Sequence, residues 1–137
     1  MSMKHVFSVC VLMVLAVAAC SKKDLTPDEV VKGFLTDFSE ENIDGAVSRL
    51  GPTLKARFLD KPDVTKSAFK EQKVKVEKCG GYKTISANYT VTPEQSTVEG
   101  YSLINFKGQC PGEKQYVRLT RSEGRWLIDE FGPTVKQ

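Results

Sequence analysis

The sequence predicts an α+β protein, with helices first and an antiparallel sheet after them. Two observations carry this. From residue 26 to about residue 59 apolar side chains recur every three to four positions, while from about Gln72 onward they recur every second position. A third observation is that Gly- and Pro-containing turn signals punctuate the second region at hairpin spacing. Helices gathered at one end of a chain and strands at the other give an architecture in which the sheet buries one face on the helices.

The first helix starts at Thr26-Pro27-Asp28-Glu29, where Thr26 can cap, Pro27 suits the first helical position and Glu29 completes a capping box. Val30, Val31, Phe34, Leu35 and Phe38 then share one face, and the helix should fade near Glu41-Asn42. A second helical pattern runs through Ile43, Ala46, Val47 and Leu50 until Gly51-Pro52 interrupts it. Leu54, Phe58 and Leu59 suggest a further short turn, Lys61-Pro62-Asp63 a loop, and Ser67–Phe69 a brief helix. Val74 and Val76 alternate with Lys73, Lys75 and Glu77, which predicts a strand. Gly80-Gly81 then predicts a two-residue hairpin in which Cys79 faces Tyr82, Val76 faces Ile85 and Val74 faces Ala87. Tyr89 and Val91 continue that face to a turn at Thr92-Pro93-Glu94-Gln95. A third strand covers Val98–Lys107, with Ile104 and Phe106 on one side and Tyr101 and Leu103 on the other. A fourth covers Gln115–Arg121 and, after a tight turn at Glu123-Gly124, a fifth covers Arg125–Phe131, pairing Leu119 with Ile128.

The residues ahead of these elements read as an address. Lys4 and His5 form a short basic region, and Val6 to Ala19 follow without a charge. A run of about fourteen residues is short for a membrane span, which needs roughly twenty, and has the length of a signal-peptide core. Val17-Ala18-Ala19-Cys20 resembles the bacterial lipobox, an aliphatic residue and two small residues before a cysteine. That resemblance implies cleavage before Cys20 and acylation of it, with palmitate-class chains. Two or three such chains on one residue anchor a protein stably. Ordinary cleavage after Ala16-Val17-Ala18 also fits the small-residue rule. The expected organisation is a signal peptide over 1–19, a lipidated tether over 20–25 and one α+β domain over 26–137. Ser21 after the cysteine points to the outer membrane, facing the periplasm; Lys22 and Lys23 weaken that sorting argument. The residues from Ser21 to Leu25 span under about 20 Å, so the domain would sit close to the bilayer.

Of the four cysteines, Cys10 lies in the signal and Cys20 takes the lipid, which leaves Cys79 and Cys110. An even pair in an exported domain becomes a disulfide in an oxidising compartment; two free thiols are the alternative. A plain meander puts these cysteines on the first and third strands, two spacings and nearly 10 Å apart, too far for a bond. Either Cys110 folds back over the sheet end or those two strands are neighbours.

The domain resembles small bacterial lipoproteins of the nuclear-transport-factor-2-like (NTF2-like), or cystatin-like, fold. The resemblance rests on Thr26-Pro27-Asp28-Glu29-Val30-Val31-Lys32-Gly33-Phe34, on Asn42-Ile43-Asp44-Gly45-Ala46 and on Gly124-Arg125-Trp126-Leu127-Ile128. It implies a curved sheet wrapped around helices as a cone with a pocket, for which Phe34, Tyr89, Tyr101 and Trp126 are the candidate lining residues. It does not fix function, since one fold hosts enzymes, binders and assembly modules.

Composition narrows the chemistry. The formal charge is +3, of which Lys4 supplies one, and basic residues alternate with acidic ones; a nucleic-acid stripe is not expected. Enzymes of the resembled fold commonly use an Asp–His pair, and His5, in the signal, is the sole histidine. No histidine base, metal ligand or Cys–His nucleophile is expected in the domain, and neither a metal nor a cofactor. Asp37 and Asp44 remain as carboxylates that a pocket would have to bring together. The expected function is a membrane-anchored, non-enzymatic module that binds an envelope protein or supports an envelope assembly. The alternative is a carrier or sensor taking a small apolar ligand into the cone. An exposed apolar patch of Tyr101, Leu103 and Leu127 would favour the first, and an enclosed apolar cavity the second.

Overall fold

The computed structural model describes residues 24–133 except 90, 91 and 93. The signal segment, the lipobox, Cys20, Val91 and Pro93 lie outside the described residues. Four helices precede four strands: α1 Pro27–Ser39, α2 Ile43–Val47, α3 Pro52–Asp60, α4 Pro62–Lys78, β1 Tyr82–Asn88, β2 Thr97–Phe106, β3 Glu113–Ser122 and β4 Arg125–Pro133. The capping box of α1 is complete: Glu29 N–H donates to Thr26 Oγ1 at 3.2 Å and Thr26 N–H to Glu29 Oε2 at 2.9 Å. Its apolar face, Val30, Val31, Phe34 and Leu35, is buried. At α2, Asn42 Oδ1 accepts from Gly45 N–H at 3.1 Å, while its amide donates to Asp37 at the end of α1.

The first predicted strand is instead the last two turns of α4. Lys61-Pro62-Asp63 does not form a loop either, because Pro62 takes the first position of that helix. Burial along α4 falls on Thr65, Phe69 and Val76, spacings of four and seven that mark one helical face. Val74 lies off that face and is 41% exposed. The alternation of valine with lysine is therefore a coincidence of spacing, laid over Lys, Glu and Gln, which favour helices. Gly80 and Gly81, with φ of 78° and 88°, do not turn a hairpin but terminate the helix. Gly81 N–H reaches Val76 O at 2.9 Å and Gly80 N–H reaches Glu77 O at 3.1 Å, the paired bonds of a glycine C-cap. The expected pairings of Cys79 with Tyr82, Val76 with Ile85 and Val74 with Ala87 consequently do not form.

The remaining strands make an antiparallel meander in the order β1-β2-β3-β4. Ile85 pairs with Ile104, and Leu119 pairs with Ile128 as predicted. Glu123 and Gly124 both have positive φ, as a two-residue hairpin turn requires. Val98, Ser102, Ile104 and Phe106 of β2, Val117 and Leu119 of β3, and Trp126 and Ile128 of β4 are buried toward the helices. An irregularity in the β3–β4 register at Arg118/Leu119 adds curvature. The outer edge of β4 is partly covered by the chain itself, since Gly51 N–H donates to Ile128 O and Ile128 N–H to Arg49 O. Phe34, Phe38, Phe58, Phe69 and Phe131 interlock in the middle of the core, with ring centroids 4.5 to 6.5 Å apart.

Cys79 and Cys110 form a disulfide with Cα atoms 5.3 Å apart. The conflict between meander and disulfide disappears because the predicted first strand is helical. Cys79 lies three residues before the start of β1, Cys110 four residues after the end of β2, and those strands are neighbours. Gly108 N–H donates to Cys79 O at 2.8 Å and Lys107 N–H to Gly81 O at 3.0 Å beside the bond. A Lys75–Glu113 ion pair ties α4 to β3 at the same end. Among the described residues no helix is long and apolar enough to cross a membrane.

Candidate functional site

A cleft of about 640 Å³ opens where the concave face of the sheet runs out beyond the start of α1. One wall is the chain entering α1: Asp24, Leu25, Thr26, Pro27 and Asp28, with Lys32 one turn on. The other wall is sheet: Ile85, Ser86 and Ala87 of β1, then Tyr89 and Thr92, and Arg121 and Trp126 from the facing ends of β3 and β4. Three consecutive residues of β1 line the space because β1 is an edge strand, and the cleft runs along its backbone edge as well as its inner face. A second recess of about 410 Å³ shares Asp24, Leu25 and Trp126 and adds Val30, Ser48, Arg49 and Arg125.

The cations of this region differ in their ties. Lys32 Nζ lies 3.0 Å from Asp28, one helical turn away, and Arg49 Nε lies 3.1 Å from Asp37. Among the described residues, Arg125 reaches only the Ser48 carbonyl, at 3.5 Å. Asp37, considered above as a catalytic carboxylate, is thus committed to joining α1 to the segment after α2, and Asp44 is exposed. Gly33 and Gly45 leave room for that bridge, since a methyl group at either would meet the Arg49 guanidinium or the Asp37–Asn42 pair. Tyr89 is half-buried, and its hydroxyl has no hydrogen-bond partner among the described residues. Burial, and secondarily the Asp28 carboxylate, push its pKa well above the usual phenol range.

Of the four aromatic residues expected to line a pocket, the structure brings Tyr89 and Trp126 together at the cleft. Phe34 does not reach it. It lies seven residues beyond Pro27 along α1, about 10 Å at helical rise, and is enclosed by Phe38, Phe58 and Phe131. Tyr101 lies on the opposite face of the sheet, because β2 alternates and the helix side takes Ser102 and Ile104. There Tyr101 packs edge-to-face on Tyr116, with Lys114 Nζ 4.1 Å over its ring. The expected outer patch is interrupted: the cross-strand row Glu99, Arg118 and Glu130 separates Leu127 from Tyr101 and Leu103. Residue reading missed Asp24, Leu25, Lys32, Ile85, Thr92 and Arg121 as wall residues. Arg121 carried a usable signal, a charge continuing the inward face of Val117 and Leu119, which marks where that face leaves the core.

A third groove follows the exposed side of α4 to the disulfide, lined by Ser67, Lys70, Glu71, Val74, Lys75 and Lys78 beside Cys79 and Cys110. Among the described residues no three His, Cys, Asp or Glu side chains cluster as metal ligands.

A crystal structure of a protein from Campylobacter jejuni, described as a candidate NTF2-like transpeptidase, is similar to this chain with a TM-score of 0.63 and 18% identity, over 77% of this chain and 99% of that one. The domain therefore has the NTF2-like fold that its sequence resembles. A solution structure of a SEC-C motif containing protein from Rhodopseudomonas palustris matches more loosely, with a TM-score of 0.47 and 13% identity over 80% of each chain. No protein-family model matches the chain, nor does any curated protein match it significantly in sequence.

Proposed function

We propose that this protein is a membrane-anchored envelope lipoprotein that acts by binding a protein partner, with the cleft between α1 and β1 as its binding site. The carrying observation is the form of the cleft. It is open along the free edge of β1, and its wall sets Asp24, Asp28, Lys32 and Arg121 beside Leu25, Ile85, Tyr89 and Trp126. An open channel of mixed polarity beside an unpaired strand edge suits a polypeptide segment, which can add main-chain hydrogen bonds to side-chain contacts. A small apolar ligand calls for an enclosed and mainly apolar cavity. The anchor follows from Val17-Ala18-Ala19-Cys20, with Cys20 as the lipid site.

The Campylobacter protein is described as a candidate transpeptidase, an activity that would need a nucleophile. Ser67 and Lys70 have the Ser-x-x-Lys spacing of penicillin-binding enzymes and share the α4 groove. Ser67, however, is the sixth residue of a seventeen-residue helix. Backbone N–H groups there are spent on the helix, so they form no oxyanion hole beside the hydroxyl. This favours the binding reading over the catalytic one.

Two measurements test the proposal. Intact mass of the detergent-extracted protein should show a chain beginning at Cys20 with added acyl mass; a chain beginning at Ala19 without lipid would remove the anchor. A photo-crosslinking residue at Ser86 or Thr92 should give a discrete protein adduct in the envelope that an Ala87→Trp plug abolishes, while the same residue at Asn105, on the outer face, should not. Adducts that ignore the plug would exclude the cleft as the site.

A further inference from the structure

We infer that the free edge of β1 pairs with the same edge of a second copy of this chain, antiparallel and about a twofold axis at Ser86, so that two four-stranded sheets join into one. The inference rests on the cleft as a polypeptide-binding site and names the polypeptide. The two edges of the sheet differ. At β4 the main chain of Arg49 and Gly51 hydrogen-bonds to Ile128. At β1, among the described residues, no segment pairs with the outer side. Exposed edges are ordinarily blunted by a proline, a charge or a bulge. β1 carries its register irregularity and its one charged residue, Lys83, at its start. It then runs Thr84-Ile85-Ser86-Ala87-Asn88 with neither charge nor proline. This bare stretch is the one that opens on the cleft, since Ile85, Ser86 and Ala87 line it.

The strand also has the pattern that its own edge calls for. A strand added there must turn apolar side chains to the helix side and polar ones to the outer face. Ile85 and Ala87 lie half-buried on the helix side, while Thr84 and Ser86 are exposed. An antiparallel pairing centred on Ser86 sets Ile85 opposite Ala87 of the second copy, and each Ser86 opposite its mate. The apolar row of Ile85 and Ile104 then continues across the junction.

Charge selects a second copy over an acidic or a basic partner. The cleft wall holds two acids, Asp24 and Asp28, and two bases, Lys32 and Arg121, and has no net charge. Asp28 and Lys32 share the cleft with Ile85, Ser86 and Ala87, and their side chains are 38% and 48% exposed. A twofold axis at Ser86 turns the second α1 antiparallel to the first and sets Asp28 of each copy toward Lys32 of the other. Each carboxylate then faces two ammonium groups, that of its own chain at 3.0 Å and that of its mate. A twofold contact requires such self-complementarity. A partner of one sign would meet like charge at Asp28 or at Lys32.

The mature chain with its anchor, extracted in a nonionic detergent, should sediment as a monomer–dimer equilibrium. Ser86→Lys and Ser86→Glu each bring like charges together at the axis and should weaken the dimer about fivefold. An equimolar mixture of the two should recover the parental affinity as a mixed dimer. Leu127→Lys, on the outer face of β4, should leave association unchanged, and Trp126 emission should report an intact fold in every variant. The photo-crosslink at Ser86 should give an adduct of twice the chain mass. A protein that stays monomeric, or a dimer indifferent to both charges at Ser86, would overturn the pairing. A plug-sensitive adduct with a different protein would overturn it too while leaving the cleft as a binding site, and the absence of any adduct would remove the site itself.

Discussion

Ser102 occupies the helix-facing side of β2, fully enclosed, between Ala87 on β1 and Gln115 on β3. Its hydroxyl has no hydrogen-bond partner among the described residues. A buried unpaired hydroxyl costs about 1–3 kcal/mol, so Ser102→Ala should raise stability by about 1 kcal/mol, read as a higher urea midpoint with an unchanged slope. Tyr116, on the outer face, shows the opposite case, a surface hydroxyl well served. It donates to Glu99 at 2.7 Å, and that hydrogen bond, followed by desolvation and carboxylate repulsion, pushes its pKa up to about 12. Because the folded value lies above the unfolded value of about 10, the stability it contributes is present below about pH 10 and is lost as the pH climbs through 12. Phenolate absorbance should show a late-titrating group that Tyr116→Phe deletes and Glu99→Gln brings down toward the ordinary value. Neither property was legible in the sequence. Parity places a residue on a face of a strand, but whether a hydroxyl there finds a partner depends on the neighbouring strands.

At the scale of elements, Thr26-Pro27-Asp28-Glu29 and Glu123-Gly124 were legible because each states a complete local device, a capping box and a turn with two positive φ values. Residues 72–78 were misread because a seven-residue window holds two valines at a spacing that suits a strand. Only Thr65 and Phe69, further back, reveal the helical frame into which Val76 falls. Gly80-Gly81 was recognised as a stop signal, but whether it stops a helix or turns a hairpin depends on what precedes it. The cap now yields a prediction. Gly81 has open space around a prospective Cβ, yet its φ is +88°. Gly81→Ala should therefore destabilise through the backbone alone, by about 1–2 kcal/mol. Gly45→Ala should cost at least as much for a different reason, since its methyl would force apart Asn42 and Asp37. Urea unfolding distinguishes them only when combined with a second change: Asp37→Ala should soften the penalty at Gly45 and leave that at Gly81 unaltered.

At the scale of the molecule, the two ends of the sheet have different tasks. Tyr89 and Trp126 line the cleft and Phe34 and Tyr101 do not, because a pocket wall is set by where helices stop covering the sheet, and no residue pattern marks that limit. At the cleft end the concave face lies open beside the residues that lead into α1. At the far end α4, β1 and the β2–β3 connection are locked by Cys79–Cys110, Lys75–Glu113 and the paired backbone bonds of Gly81 and Gly108. The disulfide closes a sequence separation of 31 residues, which in the chain-entropy account contributes roughly 3–4 kcal/mol by restricting the unfolded chain. Because the bond acts on the unfolded state, and lies a strand length from Trp126, its loss should lower stability without reshaping the cleft. A Cys79→Ser/Cys110→Ser double variant should unfold at a markedly lower urea concentration, while its Trp126 emission in the absence of denaturant matches that of the parent. A shifted native emission would show instead that the disulfide end holds the cleft open through the sheet, and the two ends would have to be treated as one coupled device.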